Sequence, residues 1–349
     1  MASLLALLPF QPITTSHVIV TDHPCLTTCL LALGALTFVK FAAKALGVFL
    51  QTFILPGKNL KKYGAGKGAW AVVTGASEGI GREFALQLAK KGFNVLVMAR
   101  NFDKLNQLCL EIAQNATPGK TVQARALALD FSKPQGAQWD AFYAEIENLD
   151  VGVLVNNVGR SHSYPSDLVD VPEDELNSIL AININSTVKV TRAVLPGMLK
   201  RKRGLILSSA SFAGVTIISP MLAPYAASKA FLASFNAALA EEVKGKGIDV
   251  ETLNTYFVVS NMSKIRRPTL TTPMPKPYVK AVLGKIGLPC GALWTGRPTL
   301  SSPFWSHALL DWIMNVIGWK ALFAYIAHVT HIDIRKRALR KLEREAKKQ

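Results

Sequence analysis

The amino-acid sequence predicts an α/β protein with a doubly wound parallel sheet, an apolar helix before the sheet and a helical extension after it. Three observations support this prediction. Short apolar runs alternate with helical stretches from residue 70 to residue 253, a glycine-rich turn follows the first of these runs, and a long apolar run precedes them at residues 25–55. Strict alternation of strands and helices indicates parallel strands with helices on both faces.

The predicted elements follow one another in order along the chain. The strands are Trp70–Val73, Asn94–Ala99, Val122–Leu129, Val151–Val155, Leu205–Ser209 and Asp249–Leu253. The helices are Ile80–Lys91, Phe102–Gln114, Trp139–Glu147, Glu173–Lys200 and Tyr225–Val243. The chain divides into an N-terminal segment (1–57), a Gly- and Lys-rich linker (58–68), the sheet domain (69–262), a Pro-rich lid (263–303), and a C-terminal helix that we expect to associate with a membrane, with a basic tail (304–349).

Charge is distributed unevenly about the apolar run at residues 25–55, which is long enough to cross a bilayer. The formal net charge is +17, yet residues 1–39 contain no Lys or Arg. After the run come Lys58, Lys61, Lys62 and Lys67, and a basic tail at residues 335–348. This placement favours an anionic membrane surface over nucleic acid, and the positive-inside rule places residue 58 onward in the cytosol. A buried soluble helix is the alternative, because Lys40 and Lys44 interrupt the run.

The cysteines show neither metal-ligand nor redox spacing. They are Cys25, Cys29, Cys109 and Cys290. The sequence therefore predicts no metal site and reduced thiols.

The glycine-rich turn joins the first strand to the first helix. Glycines allow the backbone to turn tightly and approach a pyrophosphate, which the N-terminus of the helix stabilises. The predicted cofactor contacts in this turn are Thr74, Gly75, Ser77, Gly79, Ile80 and Gly81. A turn of this kind between a strand and a helix indicates a Rossmann-type dinucleotide site.

The ends of the next strands supply further candidates. Arg100 follows the second strand, where an enzyme that uses NAD has an acidic residue for the ribose 2′-hydroxyl, whereas a cation accommodates the 2′-phosphate of NADPH. Asp130 and Asn156-Asn157-Val158-Gly159 end the third and fourth strands, at the carboxyl edge of the sheet where ligands bind. The sequence therefore predicts NADPH as the cofactor.

Tyr225 and Lys229 lie four residues apart, on one face of a predicted helix. Reduction of a ketone needs a proton donor beside the hydride, and a nearby cation lowers the pKa of a phenol. The glycine turn, the Asn-Asn-Val-Gly strand end and this Tyr-x-x-x-Lys pattern together resemble the short-chain dehydrogenase/reductase family over residues 70–260.

The resemblance implies a role for each residue of a catalytic group. Tyr225 would donate the proton, Lys229 would lower its pKa and bind the nicotinamide ribose, Ser211 would polarise the ketone, and Asn183 would support a water chain. Ser209 is a rival to Ser211, because the interval from Ser211 to Tyr225 is one residue longer than the family pattern. Ser208 is a third candidate at the same strand end.

The same resemblance implies roles at the cofactor. Asp130 would hold the adenine, and Asn156 and Asn157 would pass beneath a ribose. Val258 and Ser260 stand where many relatives have a Pro-Gly turn over the nicotinamide, and we expect both to contact the cofactor.

Segments before, within and after the domain restrict the resemblance to a smaller group within the family. An apolar helix before the domain, Ser211-Phe212-Ala213-Gly214, and residues 263–267 resemble the fungal microsomal 3-ketoacyl-CoA reductases of very-long-chain fatty acid elongation. That resemblance implies NADPH-dependent reduction of a 3-oxoacyl-CoA on the endoplasmic reticulum membrane, with the active site in the cytosol and other elongation enzymes as partners. Lys264, Arg266 and Arg267 either contact the CoA phosphates or face solvent. The alternatives are a membrane hydroxysteroid or retinoid dehydrogenase, and a non-catalytic scaffold of an elongation complex.

Trp305, Trp312 and Trp319 recur every seven residues. This spacing predicts one stripe on a helix with apolar neighbours from Ala308 to Ile326. The helix either packs into the core or lies at a membrane interface, where tryptophan is favoured.

Overall fold

Seven parallel strands form one sheet in the part of the chain that the computed structural model describes, residues 23–115, 122–133 and 135–347. They are β1 (Trp70–Thr74), β2 (Asn94–Ala99), β3 (Ala124–Ala128), β4 (Val151–Asn156), β5 (Gly204–Ser209), β6 (Ile248–Leu253) and β7 (Leu300–Ser301). Their order is β3-β2-β1-β4-β5-β6-β7, and every neighbouring pair is parallel. The order reverses between β1 and β4, so the doubly wound sheet is confirmed.

Helices cover both faces of this sheet. They are α2 (Gly79–Lys90), α3 (Phe102–Gln114), α4 (Ala137–Glu147), α5 (Glu173–Leu180), α6 (Ser186–Arg201), α7 (Ala223–Glu242) and α8 (Pro275–Gly284). Side chains that alternate along the strands divide between two cores: Val73, Val97 and Val155 pack with α2, α3 and α8, and Leu96 and Leu154 pack with α4, α6 and α7. Burial on both faces explains why the central strands β1, β2 and β4 carry continuous apolar runs.

The predicted single helix Glu173–Lys200 is wrong in one respect. A π-helical turn at Ala181–Asn185 separates α5 from α6. Within it, the Asn183 side chain donates to Ser228 of α7 and is also bonded to the backbone of Arg160. Such wide turns are frequent at functional sites, and this one holds Asn183 away from a regular helical position.

The chain divides into two compact units, Met1–Gly47 and Val48–Gln349, which are described separately. In the first unit, residues 1–22 of the predicted N-terminal segment lie outside the described residues. Helix α1 (Pro24–Phe49) continues through a π-helical turn to Ile54, and this run of 31 residues is long and apolar enough to cross a membrane. Its most apolar window is not buried, which disfavours the alternative of a soluble core helix.

The predicted linker at residues 58–68 is instead a folded part of the second unit. Leu60–Tyr63 forms a 3-10 turn in which Tyr63 is fully buried, and the Tyr63 hydroxyl donates to Asp249 of β6 at 2.6 Å. Lys58 and Lys62 form ion pairs with the same carboxylate at 2.6 and 2.7 Å. Because Leu60 and Tyr63 bury apolar surface, this glycine- and lysine-rich segment is ordered despite its composition.

Part of the predicted lid at residues 263–303 also belongs to the core. Helix α8 lies within it and buries Tyr278, Val279 and Val282 against the sheet. The strand β7, which sequence analysis missed, is only two residues long and pairs with Thr252 and Leu253 of β6. The lid is therefore anchored at both its helix and its final strand.

The predicted tryptophan stripe is broken. Helix α9 (Trp305–Ile317) ends at Gly318, whose φ of 66° is left-handed, and α10 (Lys320–Ala346) begins after Trp319. Because glycine adopts this conformation without steric cost, it ends the helix and removes Trp319 from the stripe. Helix α9 buries His307, Ala308 and Asp311, whereas no residue of α10 is buried.

Candidate active site

The glycine-rich turn lies at the carboxyl end of β1 and is folded closely onto the end of β4. A Cβ atom on Gly75 would lie 2.9 Å from the Cα of Val158, and the φ of Gly75 is 66°. The Thr74 hydroxyl accepts hydrogen bonds from the backbone N–H groups of Asn157 and Val158, both at 3.0 Å. Only glycine fits this approach, so the backbone of the turn is fixed before the N-terminus of α2 begins at Gly79.

The two predicted asparagines have different surroundings. The Asn157 amide donates to the carbonyl oxygens of Thr74 and Gly75 at 3.1 and 3.2 Å and so braces the turn. The Asn156 side chain is buried and donates to the Thr191 hydroxyl of α6 at 2.9 Å. Asn157 therefore supports the proposed cofactor turn, and Asn156 joins β4 to α6.

The remaining predicted residues of the turn differ in their exposure. Ser77, Gly79 and Ile80 are half-buried, and Gly81 is buried. A Cβ atom on Gly81 would lie 2.2 Å from the carbonyl oxygen of Gly75, which requires glycine at the first turn of α2. The free N–H groups of this helix start provide a place for an anionic phosphate.

A cleft of about 380 Å³ lies beside the ends of β2 and β3. Arg100, Asp130 and Lys133 line it together with the start of α4. Burial raises the pKa of Asp130, but hydrogen bonds from Ser132 and the charges of Arg100 and Lys133 outweigh burial and lower it below its ordinary value. Sequence analysis missed Lys133, although a second cation three residues after Asp130 was a usable signal.

Tyr225 and Lys229 lie in the first turns of α7. The Lys229 ammonium is 5.8 Å from the centre of the Tyr225 ring and donates to the carbonyl oxygen of Ser209 at 2.7 Å. Burial lowers the pKa of Lys229 to about 8. Burial raises the pKa of Tyr225, and a hydrogen bond with the Ser211 side chain acts in the opposite direction. Ser211 is thus the partner of the phenol that favours its ionised form in this structure.

The three candidate serines are separated by their contacts. Ser211 is the one whose side chain interacts with the Tyr225 phenol. Ser209 contacts Lys229 through its backbone carbonyl, and the Ser208 hydroxyl is buried and donates to Asn236. The hydrogen bond of Ser211 with the phenol therefore favours Ser211 over Ser209.

Asn183 is fully buried next to the same group. Its Oδ1 accepts from the backbone N–H of Arg160 at 2.8 Å, and its Nδ2 donates to Ser228 at 2.8 Å. A Cβ atom on Gly159 would lie 3.3 Å from the Lys229 ammonium and 3.5 Å from Asn183 Oδ1. Gly159 thus lets the end of β4 pass close to both residues.

The segment after β6 lies beside the glycine turn. Val258 is buried in the core, and the Cβ of Ser260 lies 3.6 Å from the position of a Cβ on Gly79. The three predicted basic contacts, Lys264, Arg266 and Arg267, are all exposed, and the Lys264 ammonium donates to the carbonyl oxygen of Ser163. Lys264 therefore joins the segment after β6 to the segment after β4.

Residues 69–271 match the family model for short chain dehydrogenases. The chain belongs to this family. It is 55% identical to a very-long-chain 3-oxoacyl-CoA reductase of Coprinopsis cinerea, over 95% of this chain and 96% of that protein. It is 53% identical to the protein of the same name from Laccaria bicolor, over 96% of this chain and 97% of the relative. The resemblance to the fungal reductases and the prediction of an oxidoreductase are confirmed.

A solved structure of the same fold contains a nicotinamide cofactor. It is a candidate NAD(P)-dependent gluconate 5-dehydrogenase from Beutenbergia cavernae with bound NADP. It is 25% identical, with a TM-score of 0.58 over 70% of this chain and 97% of that one. Together with the closely folded glycine turn and its free helix start, family membership supports a nicotinamide cofactor for this short-chain dehydrogenase.

Proposed function

We propose that this short-chain dehydrogenase uses NADPH to reduce very-long-chain 3-oxoacyl-CoA to 3-hydroxyacyl-CoA. The observation that carries the proposal is the meeting of Ser211, Tyr225, Lys229 and Asn183 beside the glycine turn. The substrate class comes from relatives of that name, which are 55% and 53% identical over nearly the whole chain.

Each side chain has a defined task in this reaction. The bound cofactor supplies a hydride to the 3-oxo carbon. The Ser211 hydroxyl donates a hydrogen bond to the 3-oxo oxygen, and the Tyr225 phenol transfers its proton to that oxygen as the hydride arrives. Lys229 binds the nicotinamide ribose, and Asn183 holds the end of β4 next to Lys229.

The choice of NADPH rests on the cleft beside β2 and β3. Arg100 and Lys133 place two cations at its wall, where the 2′-phosphate of the adenosine ribose would bind. In this proposal Asp130 accepts from the adenine. The rest of the cofactor is surrounded by Thr74, Gly75, Ser77, Gly79, Ile80, Gly81, Asn157 and Ser260, whereas the predicted contact Val258 is buried in the core.

We further propose that the protein is anchored in the endoplasmic reticulum membrane by Pro24–Ile54, with residue 58 onward in the cytosol. The apolar length of this run and the basic residues that follow it support the proposal. In this arrangement the exposed Arg266 and Arg267 are available to a CoA phosphate, and other enzymes of fatty acid elongation supply the substrate and consume the product.

The decisive experiment measures NADPH oxidation by the full-length protein in detergent with a long-chain 3-oxoacyl-CoA. We expect turnover with NADPH, slow turnover with NADH, and loss of turnover in Tyr225→Phe, which removes only the phenolic hydroxyl. NADPH binding by the variant, followed by fluorescence, checks that it is folded. Turnover of a ketosteroid in preference to the acyl-CoA would refute the proposed substrate.

A further inference from the structure

Asp311, on the inner face of α9, is a fully buried carboxylate outside the proposed catalytic group. Its two oxygens accept side-chain hydrogen bonds from Thr216, Asn254, Arg297, Ser302 and Asn315. The shortest are from Ser302 at 2.6 Å and Arg297 at 2.8 Å. A buried charge is costly unless it is paired and its lone pairs are filled, and Asp311 meets both conditions.

Three partners of Asp311 come from separate segments of the chain. Thr216 lies between Ser211 and Tyr225, Asn254 follows β6, and Ser302 follows β7. Thr216 also accepts hydrogen bonds from Arg297 at 3.0 Å and from Asn254 at 2.9 Å. The C-terminal extension is therefore bonded directly to the loop that carries Ser211.

This loop, residues 211–217, is a single tight unit. The backbone N–H groups of Thr216 and Ile217 both donate to the carbonyl oxygen of Phe212, at 2.9 and 2.8 Å. On the other side, Gly214 is packed so closely that a Cβ atom there would lie 2.0 Å from the carbonyl oxygen of Ala226, the residue after Tyr225. A shift of Thr216 would therefore be transmitted to Phe212 and to Ser211 before it.

We propose that Asp311 is a positioning residue, which holds Ser211 at the Tyr225 phenol by fixing Thr216. The inference rests on the proposed function. It assigns a role to the C-terminal extension in the reaction, since α9 supplies the carboxylate that fixes the catalytic loop.

The proposal has a consequence for the pH dependence of reduction. The hydrogen bond with Ser211 opposes the effect of burial on the Tyr225 pKa. If Ser211 moves away, the pKa of Tyr225 rises further. Reduction requires the protonated phenol, so the loss of activity that follows ionisation of Tyr225 moves to higher pH. Lys229 also faces this phenol, and burial lowers its pKa to about 8, so it loses its charge at lower pH in variant and wild type alike. The comparison with wild type therefore isolates the effect of Ser211 on Tyr225.

The test compares Asp311→Asn with wild type in the full-length, detergent-solubilised protein. The amide keeps the shape of the side chain but removes the charge that binds Arg297. We expect kcat to fall by roughly 10- to 100-fold, because small displacements of catalytic groups have effects of this size. The KM for NADPH should change by less than about twofold, and the alkaline limb of the kcat profile should move to higher pH.

Two further variants keep the result interpretable. Thr216→Val removes a single hydroxyl from the network and should shift the alkaline limb in the same direction by a smaller amount. Asp150→Asn is the matched control, because Asp150 also pairs with arginines, Arg201 and Arg203, but precedes β4 at the opposite end of the sheet. Rates are expressed per NADPH-binding site, so that unfolded protein does not contribute.

The outcomes separate the two proposals. An active wild type with an Asp311→Asn profile identical to that of Asp150→Asn would overturn the positioning role and leave the proposed function intact. A wild type that binds NADPH but turns over no 3-oxoacyl-CoA would refute the proposed function and this inference with it. A shifted alkaline limb in Asp311→Asn and Thr216→Val, absent in Asp150→Asn, would support the positioning role.

Discussion

Two cations, Arg100 and Lys133, lie at the cleft beside Asp130 and distinguish the two nicotinamide cofactors in our proposal. Arg100→Ala or Lys133→Ala should raise the Kd for NADPH by roughly 10- to 100-fold, since a hydrogen bond to a charged group contributes about 1.5–3 kcal/mol. The Kd for NADH, which lacks the 2′-phosphate, should change little. Fluorescence titration measures both constants. Lys246→Ala, at an exposed lysine, is the control, and an equal loss for both cofactors would contradict the assignment.

The sequence identified the candidate site residues more reliably than it identified the contacts that their side chains make. The Tyr-x-x-x-Lys spacing placed Tyr225 and Lys229 on one face of a helix, and both lie there. Sequence analysis favoured Ser211 but kept Ser209 as a rival, because the interval from Ser211 to Tyr225 is one residue longer than the family pattern. Their contacts separate them, since Ser211 interacts with the phenol whereas Ser209 offers only its carbonyl oxygen to Lys229.

At the scale of elements, α1 predicts a topology that glycosylation can test. The second unit contains three Asn-x-Ser/Thr sequons, whose asparagines, Asn115, Asn185 and Asn261, are exposed. If this unit is cytosolic, all three stay unmodified, whereas a sequon tag placed before Met1 is glycosylated in the lumen. A mobility shift on endoglycosidase treatment measures the outcome. Glycosylation of the native sequons without glycosylation of the tag would show that the orientation is opposite to the proposed one.

The end of α9 and the start of α10 expose a further apolar surface. Leu309, Ile313, Val316 and Trp319 are exposed, with 62% of Trp319 accessible. If this surface contacts lipid, fluorescence of the full-length protein in vesicles with brominated lipid is quenched less in Trp319→Phe than in wild type. Trp139→Phe is the control, because Trp139 is buried in the core. Quenching unchanged by Trp319→Phe would argue against contact at this position.

The break at Gly318 shows why the tryptophan spacing misled. A repeat of seven residues is compatible with one helical stripe, but it carries no information on where a helix ends. Gly318 adopts a left-handed conformation between α9 and α10. On its inner face α9 carries Asp311, which is bonded to Thr216, 95 residues earlier in the sequence. A repeat along the chain cannot reveal such a contact.

At the scale of the whole molecule, a buried acid on β6 makes the stability depend on pH. Burial raises the pKa of Glu251 to about 7 from its ordinary 4.5. Between these values the folded protein holds a proton that the unfolded chain releases, so the free energy of unfolding falls as the pH rises from 4.5 to 7. Above pH 7 Glu251 is ionised in both the folded and the unfolded protein. A further rise in pH therefore no longer changes its contribution to the free energy of unfolding.

Glu251→Gln should therefore raise the Tm at pH 8 by about 3 °C or more and reduce the decline of Tm between pH 5 and pH 8. The amide oxygen can still accept from the Gly287 backbone, which Glu251 binds at 2.8 Å. Differential scanning fluorimetry of the detergent-solubilised protein measures the change. Glu241→Gln, on an exposed acid, should leave the decline as in wild type, and an unchanged decline in Glu251→Gln would contradict the role of burial.

The sequence by itself determined the parallel sheet, the site of the dinucleotide turn and the spacing of Tyr225 and Lys229, because these depend on local periodicity and on neighbours along the chain. Only the tertiary structure decided that the segment at 58–68 packs onto β6, that Ser211 reaches the phenol, and that Asp311 joins α9 to the loop that carries Ser211. Those contacts connect residues far apart in sequence, and they form because buried polar groups require partners wherever the folded chain provides them.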